Sequence, residues 1–118
     1  MTDSDRPPGK NTVSPDVLIS IAKLSALSVT GVSRMSAVPS GVNRLFRKGA
    51  NEGVRVDIED DIVSVDIHLV IMEDVNIREV SRNVQNKVAR AIQEMVGMEV
   101  GRVDIHVEDI EYEAINEA

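Results

Sequence analysis

Cysteine and tryptophan are absent from this chain of 118 residues, which has one phenylalanine and one tyrosine. Without cysteine there is no disulfide, no thiolate nucleophile and no cysteine-ligated zinc or iron–sulfur cluster. Two aromatic side chains, Phe46 and Tyr112, are too few for the stacking platform of a protein that binds single-stranded nucleic acid. These absences exclude thiol redox chemistry and disfavour nucleic-acid recognition.

Long apolar runs are also missing. No stretch approaches the roughly 20 apolar residues that span a bilayer, and the first residues, MTDSDRPPGKNT, are polar and contain no apolar leader. We therefore expect a cytoplasmic protein. Its organisation is expected to be a disordered tail over residues 1–12, a single domain over residues 13–112 and an acidic tail over residues 113–118.

Sequence motifs of catalysis are lacking as well. There is no glycine-rich phosphate loop ahead of a helix and no nucleophile elbow. The acidic pair Asp60 and Asp61 is typical of a turn rather than of acid–base chemistry. We therefore expect no enzymatic activity, no catalytic residues and no cofactor.

The charges that are present are unevenly divided. The net charge is −7, yet residues 34–55 carry five basic residues and one acidic residue, whereas residues 99–118 carry seven acidic residues and one arginine. The basic segment is suited to contact with phosphates, an acidic protein partner or an anionic membrane surface, with a merely solvated basic surface as the alternative. Its candidate partner-binding residues are Arg44, Phe46, Arg47 and Lys48. Nucleic acid is a weaker alternative for the 44–55 loop, because the chain as a whole is acidic.

Hydrophobic periodicity predicts the first half of the fold. A helix is expected to begin at Ser14 and Pro15 and to end before Gly31. Its expected buried stripe is Val17, Ile21, Leu24 and either Leu27 or Ser28. A short strand is expected over residues 32–37, followed by a helical turn within the basic loop. The alternating runs VRVDI and IVSVDIHLVIM, joined by EDD, predict a β-hairpin.

A second helix and a last strand complete the prediction. Asn76 with Glu79 forms a capping-box pair, and Gly97 ends the helix. The expected buried stripe of this helix is Ile77, Val80, Val84, Val88, Ala91, Ile92 and Met95. The fold class is α+β: a two-layer sandwich with a four-stranded mixed sheet, two main helices on one face and the order α-β-(short α)-β-β-α-β. The strand before and the strand after the second helix should be parallel if they are neighbours.

The tetrapeptide Val-Asp-Ile-His occurs twice and contains both histidines of the chain. Alternation places Asp66, His68, Asp104 and His106 on the face of the sheet opposite the core. If the two strands pair in register, the imidazoles lie about 5 Å apart, and two histidines with two carboxylates suit zinc. Polar residues alternating with Val and Ile are, however, what any half-exposed strand presents. We therefore favour two solvated strand histidines, with a metal site as the alternative.

Three segments resemble those of a known family. They are SPDVLISIAKLSALSVTGVSRMS, the loop GVNRLFRKGANEGVRVDI, and the stretch that leads from the hairpin into NIREVSRNVQNKV and on to MVGMEVGRVDIHV. Together they resemble the alkaline shock protein family, the Gls-type envelope stress proteins of bacteria, from about Val13 to Ile110. The resemblance implies a small cytoplasmic stress protein that reaches the inner face of the cell membrane through a membrane-anchored protein partner and forms homo-oligomers. It implies no enzymatic activity, cofactor or family site residues.

The function expected from these observations is non-enzymatic. The protein is expected to serve the stress response and envelope homeostasis through protein–protein interaction, and direct peripheral membrane association is a further expectation. The alternative function is a small binding module, either for a metal at Asp66, His68, Asp104 and His106 or for nucleic acid at the basic loop.

Overall fold

The computed structural model describes residues 12–37, 50–51 and 53–112. Its elements are α1 (Pro15–Leu27), β1 (Val32–Met35), β2 (Ala50–Asn51), β3 (Val54–Glu59), β4 (Ile62–Met72), α2 (Ile77–Val96) and β5 (Glu99–Glu111). The predicted α+β class and the order of these elements are confirmed. The predicted helical turn in the basic loop and both predicted tails, apart from Thr12, lie outside the described residues.

β4 is the centre of the sheet. Along one side it pairs with β5 in parallel, and along the other it pairs antiparallel with β3 at Ile62–Ile67 and with β1 at Leu69–Ile71. β3 and β1 therefore lie end to end against β4. The two-residue strand β2 pairs with β3 and is an addition to the four strands that were predicted. The parallel neighbours β4 and β5 make the sheet mixed, as expected.

The start of α1 agrees with the prediction, but the side of the helix that packs against the sheet does not. Its start follows the prediction, because the Ser14 hydroxyl accepts a hydrogen bond from the Asp16 N–H and Pro15 occupies the first turn. The predicted buried stripe was largely wrong. The side chains that pack are Leu18, Ile19, Ile21, Ala22 and Ala26, whereas Val17, Leu24 and Leu27 are exposed. Apolar residues occur on both sides of this helix, so their spacing alone does not determine which side meets the sheet.

α2 follows its prediction more closely. The Asn76 side chain accepts a hydrogen bond from the Glu79 N–H at 2.9 Å, and Gly97 ends the helix in the left-handed conformation. The buried residues are Val80, Val84, Val88 and Ile92. Ile77 and Met95 were predicted to be buried and are exposed. They share the inner side of the helix but lie in its first and last turns, outside the packed central turns.

Both helices cover the same face of the sheet. The core cluster joins the inner residues of α1 and α2 to the side chains of β3, β4 and β5 that alternate toward the helices. On β4 these are Val63, Val65, Ile67, Leu69 and Ile71, and each has no exposed surface. The opposite face of the sheet has no described helix over it.

Gly53 lies where β1 and β3 meet along β4. Its φ is +87°, a conformation that side chains with a Cβ rarely adopt. A Cβ at this position would lie 2.4 Å from the Ser36 carbonyl oxygen and 3.0 Å from the His68 carbonyl oxygen. Close packing of two strand ends against β4 therefore requires glycine here.

The first prediction concerns the core. Val88 is fully buried on α2, whereas Arg82 is exposed on the same helix. Val88→Ala should lower the free energy of unfolding by about 1–3 kcal/mol, because it removes two buried methyl groups and leaves a cavity. Arg82→Ala should change it by less than about 0.5 kcal/mol. Urea denaturation measures both values, and equal effects would contradict the assignment of the buried side of α2.

The second prediction separates steric contact from backbone conformation at Gly53. Gly97 has a similar positive φ of +73°, but nothing lies within 4 Å of the position that a Cβ would take there. Gly97→Ala should therefore lose only about 1–2 kcal/mol from left-handed strain. Gly53→Ala should lose clearly more, since its Cβ would meet two backbone carbonyls. Thermal unfolding of the two variants tests this, and a smaller loss for Gly53→Ala would contradict the close approach of β1 and β3.

Candidate functional site

The candidate site lies on the open face of the sheet, opposite the helices. The register of the parallel pair places Asp66 beside Asp104 and His68 beside His106. The two imidazole rings are stacked, with centroids 4.5 Å apart and planes inclined by 13°. The predicted adjacency of the two histidines is therefore confirmed in both register and distance.

Each imidazole is hydrogen-bonded to a carboxylate on the other strand. His68 Nδ1 on β4 lies 2.7 Å from Glu108 Oε2 on β5, and His106 Nε2 on β5 lies 3.1 Å from Asp66 Oδ1 on β4. In both contacts an imidazole N–H donates and the carboxylate accepts. The histidine stack is therefore accompanied by two diagonal hydrogen bonds, offset in the same direction, that hold β4 and β5 together.

Asp104 takes no part in these contacts. Its Oδ2 accepts a hydrogen bond from Arg102 Nε at 2.6 Å. This hydrogen bond, reinforced by the charge of the carboxylate, raises the pKa of the Arg102 guanidinium. The four residues predicted as one cluster are thus divided, and Glu108 is the partner that the prediction missed. Its outward position in the alternation of β5 was the signal in the sequence that could have identified it.

The residues that the structure describes contain no group of three or more histidine or acidic side chains arranged to hold a metal ion. The two diagonal hydrogen bonds are consistent with this result. Nδ1 of His68 and Nε2 of His106 each face a carboxylate of the neighbouring strand. One nitrogen of each ring is therefore engaged with a carboxylate within the sheet.

The two histidines differ in burial. His68 is only 8% exposed, so the prediction of two solvated histidines was wrong for this residue. The side chain of His106 is 44% exposed. His68 lies on the central strand, where its N–H donates to the Gly53 carbonyl and its own carbonyl accepts from the Ser36 N–H. His106 lies on β5, which has a neighbour on one side only among the described strands.

Further polar contacts join β1 to β5 across the end of β4. The Ser33 hydroxyl donates to Glu111 Oε1 at 2.6 Å, and Arg34 Nε lies 3.6 Å from the same oxygen. Of the apolar residues on this face, Val70 is buried and Met72 is 48% exposed. The open face is therefore mainly polar, and many of its charged groups pair with one another.

The outer edge of β5 is a separate feature of this surface. β5 has 13 residues and pairs with β4 alone among the strands described. One side chain reaches its backbone from α2, where Gln85 Nε2 donates to the Val103 carbonyl at 3.0 Å. A long strand with an unpaired edge is a template for pairing with another strand.

The predicted partner-binding residues are not placed by the structure. Arg44, Phe46, Arg47 and Lys48 lie outside the described residues, and their role stays a prediction. Within residues 12–37, 50–51 and 53–112, no helix is both long enough and apolar enough to cross a membrane.

Comparison with solved structures shows a shared fold. The zinc form of a MamM CTD variant is similar with a TM-score of 0.51 at 9% sequence identity, over 81% of this chain and 86% of that one. A second MamM CTD variant gives a TM-score of 0.51 at 10% identity, over 81% of this chain and 98% of that one. Identities this low show similarity of fold and nothing about binding.

Comparison of sequences identifies the family. The Bacillus subtilis protein named "Uncharacterized protein YqhY" is 30% identical over 96% of this chain and 85% of its own length. The Streptococcus pyogenes protein named "Uncharacterized protein Spy1614" is 32% identical over 83% of this chain and 84% of its own length. Neither name states an enzymatic activity. Residues 3–112 match the alkaline shock protein family, which is described by a "cell envelope-related function". The chain therefore belongs to this family, the one that its sequence resembles.

Proposed function

We propose that this protein is a non-enzymatic component of envelope homeostasis in the stress response, which acts through protein–protein interaction. In this proposal it resides in the cytoplasm, is recruited to the inner face of the membrane by a membrane-anchored protein, and self-associates. The observation that carries the proposal is the family match over residues 3–112, whose description is a cell envelope-related function.

The open face supports recognition better than catalysis. Its two histidines contact carboxylates, and no hydrogen bond of the described residues links either of them to a serine or threonine hydroxyl. A nucleophile activated by a base would need such a contact. The two diagonal pairs hold the strands together and leave a charged surface suited to contact with a protein.

Metal binding by Asp66, His68, Asp104 and His106 has less support. Asp104 pairs with Arg102, and each histidine already faces a carboxylate. The zinc form of MamM CTD belongs to that protein, and its 9% identity to this chain transfers no ligand. We therefore retain protein–protein interaction as the function.

Recruitment is attributed to the basic segment. Residues 34–55 carry five basic residues and one acidic residue in a chain of net charge −7, so this segment attracts an acidic surface. In the third prediction, reversal of Arg44, Arg47 and Lys48 to glutamate abolishes envelope localisation of a fluorescent fusion. The circular dichroism spectrum of the purified variant should stay native.

A matched control makes the same charge change elsewhere. Arg78, Arg82 and Lys87 are exposed on α2, and their reversal to glutamate also alters the net charge by six units. This control should keep its localisation. Loss in both variants would show an effect of total charge, and unchanged localisation of the Arg44, Arg47 and Lys48 variant would contradict recruitment through the basic segment.

Self-association is the second part of the proposal. It is supported by the separation of basic and acidic segments and by the outer edge of β5, which pairs with no strand among those that the structure describes. The fourth prediction is a concentration-dependent dimer or larger species in sedimentation velocity. Association should weaken between about 0.1 M and 1 M salt, because the Debye length falls from about 10 Å to about 3 Å. A monomer at both salt concentrations and at high protein concentration would contradict self-association.

A further inference from the structure

The outer edge of β5 has a defined segment that can accept a strand. The register with β4 shifts between Val63 and Ser64 and again between Leu69 and Val70, which leaves Gly101 and Glu108 as the extra residues on β5. Between these two bulges, residues 102–107 pair regularly with β4. Any regular pairing on the outer edge is therefore centred within this segment.

Two contacts show which residues of β5 point their backbone N–H and C=O groups outward, away from β4. The N–H and C=O of His68 bond to Gly53 and Ser36 on the β3 and β1 side of β4, so the backbone groups of Ile67 and Leu69 point toward β5. On β5 the Val103 carbonyl accepts from Gln85 of α2 and therefore points away from β4. Backbone groups alternate along a strand, so those of Ile105 and Val107 share this outward direction. Three residues thus present their N–H and C=O groups on the outer edge.

We propose that two copies of this chain pair through β5, edge to edge and antiparallel, with Ile105 of each copy opposite Ile105 of the other. This inference rests on the proposed self-association and names its contact. In this register Val103 is opposite Val107 of the second copy, and both belong to the outward-pointing set. The two sheets then form one continuous sheet through backbone hydrogen bonds.

The charges on the open face favour this register. With Ile105 on the twofold axis, Asp104 lies opposite His106 of the second copy, and Arg102 lies opposite Glu108. By symmetry each of these two pairs occurs twice. Of these, Arg102 and Glu108 are opposite charges placed directly across the two strands, which is stabilising. The side chains of two antiparallel copies of β5 are therefore complementary when Ile105 lies on the twofold axis.

Neighbouring registers lose this complementarity. With the axis at residue 104, Asp104 would face its own copy and Arg102 would face His106. With the axis at residue 106, Asp104 would face Glu108 across the strands. Both registers place like groups together, which is destabilising. An axis at residue 103 or 107 leaves only one kind of complementary pair and shifts the overlap toward a bulge.

The contact from Gln85 is compatible with pairing. A carbonyl oxygen has two lone pairs, so the Val103 oxygen can accept from the side chain of Gln85 and from the Val107 N–H of the second copy. The side chains of Arg102 and Asp104 are 56% and 46% exposed, so both are accessible to a second copy.

The absence of native cysteine allows a direct test by disulfide formation. Residues 104 and 106 form a non-hydrogen-bonded pair in the proposed register, with Cα atoms about 4.5 Å apart, within the range of a disulfide. The Asp104→Cys and His106→Cys variants carry tags of different mass and are oxidised separately and as a mixture. The mixture should give a cross-linked heterodimer that exceeds either homodimer severalfold. Arg55→Cys, on the open face of β3, is the control and should not cross-link with either.

A charge exchange gives an independent readout. Arg102→Glu or Glu108→Arg alone should weaken dimerisation about tenfold, the equivalent of 1.4 kcal/mol, because each creates two like-charge pairs. The double variant should regain dimerisation. Both Glu108→Arg and the double variant lack the intramolecular contact of Glu108 with His68, so recovery cannot come from that contact.

The outcomes separate this inference from the proposed function. A wild-type protein that stays monomeric in sedimentation contradicts self-association itself and the inference with it. A wild-type dimer whose cysteine variants give no heterodimer, or mainly homodimers of Asp104→Cys, overturns the proposed register and leaves self-association intact. Single charge variants that dimerise as the wild type does also overturn the register.

Discussion

The parallel pairing of β4 with β5 is the constraint on which the rest of the structure depends. Two parallel strands that follow one another need a crossover, and α2 supplies it and packs over the sheet. The register also determines which side chains of β4 meet the helices. Burying one Val, Leu or Ile side chain contributes roughly 1.5–3 kcal/mol. A shift of one residue would turn the inner apolar side chains of β4 outward, so the core stabilises this register strongly.

The same register creates a problem on the open face. Because the repeated Val-Asp-Ile-His segments align in parallel, Asp66 lies beside Asp104 and His68 beside His106. Like charges that lie side by side are destabilising. The contacts on this face offset that effect: Asp66 and His68 pair diagonally with His106 and Glu108, and Asp104 pairs with Arg102 of its own strand. The network is thus explained as compensation for an in-register repeat.

The sequence predicts those parts of the fold that depend on local signals. The caps at Ser14 and Asn76, the hairpin turn and the alternation of β4 all act within a few residues, and the structure agrees with each. The inner side of α1 is not predictable in this way, because apolar residues occur on both of its sides. The burial of His68 is not predictable either, since it depends on β1 and β3 meeting at Gly53, far apart in the chain from each other. The contact of Glu108 is diagonal, two residues along β5 from His106, so it depends on the register of the parallel pair, which alternation alone does not give.

The topology of the sheet separates the two kinds of contact that the proposed function requires. The basic candidate residues belong to the segment that connects β1 with β2, and the described ends of that segment lie at Ala37 and Ala50. β1, β3 and β2 all lie on one side of β4, whereas β5 lies on the other. The ends of the basic segment and the outer edge of β5 are therefore on opposite sides of the central strand. A second copy paired at β5 extends the sheet away from the strands that lead into the basic segment. In the proposed function, pairing between copies at β5 therefore does not occupy the side of β4 on which the basic segment begins and ends, so the two proposed contacts are compatible.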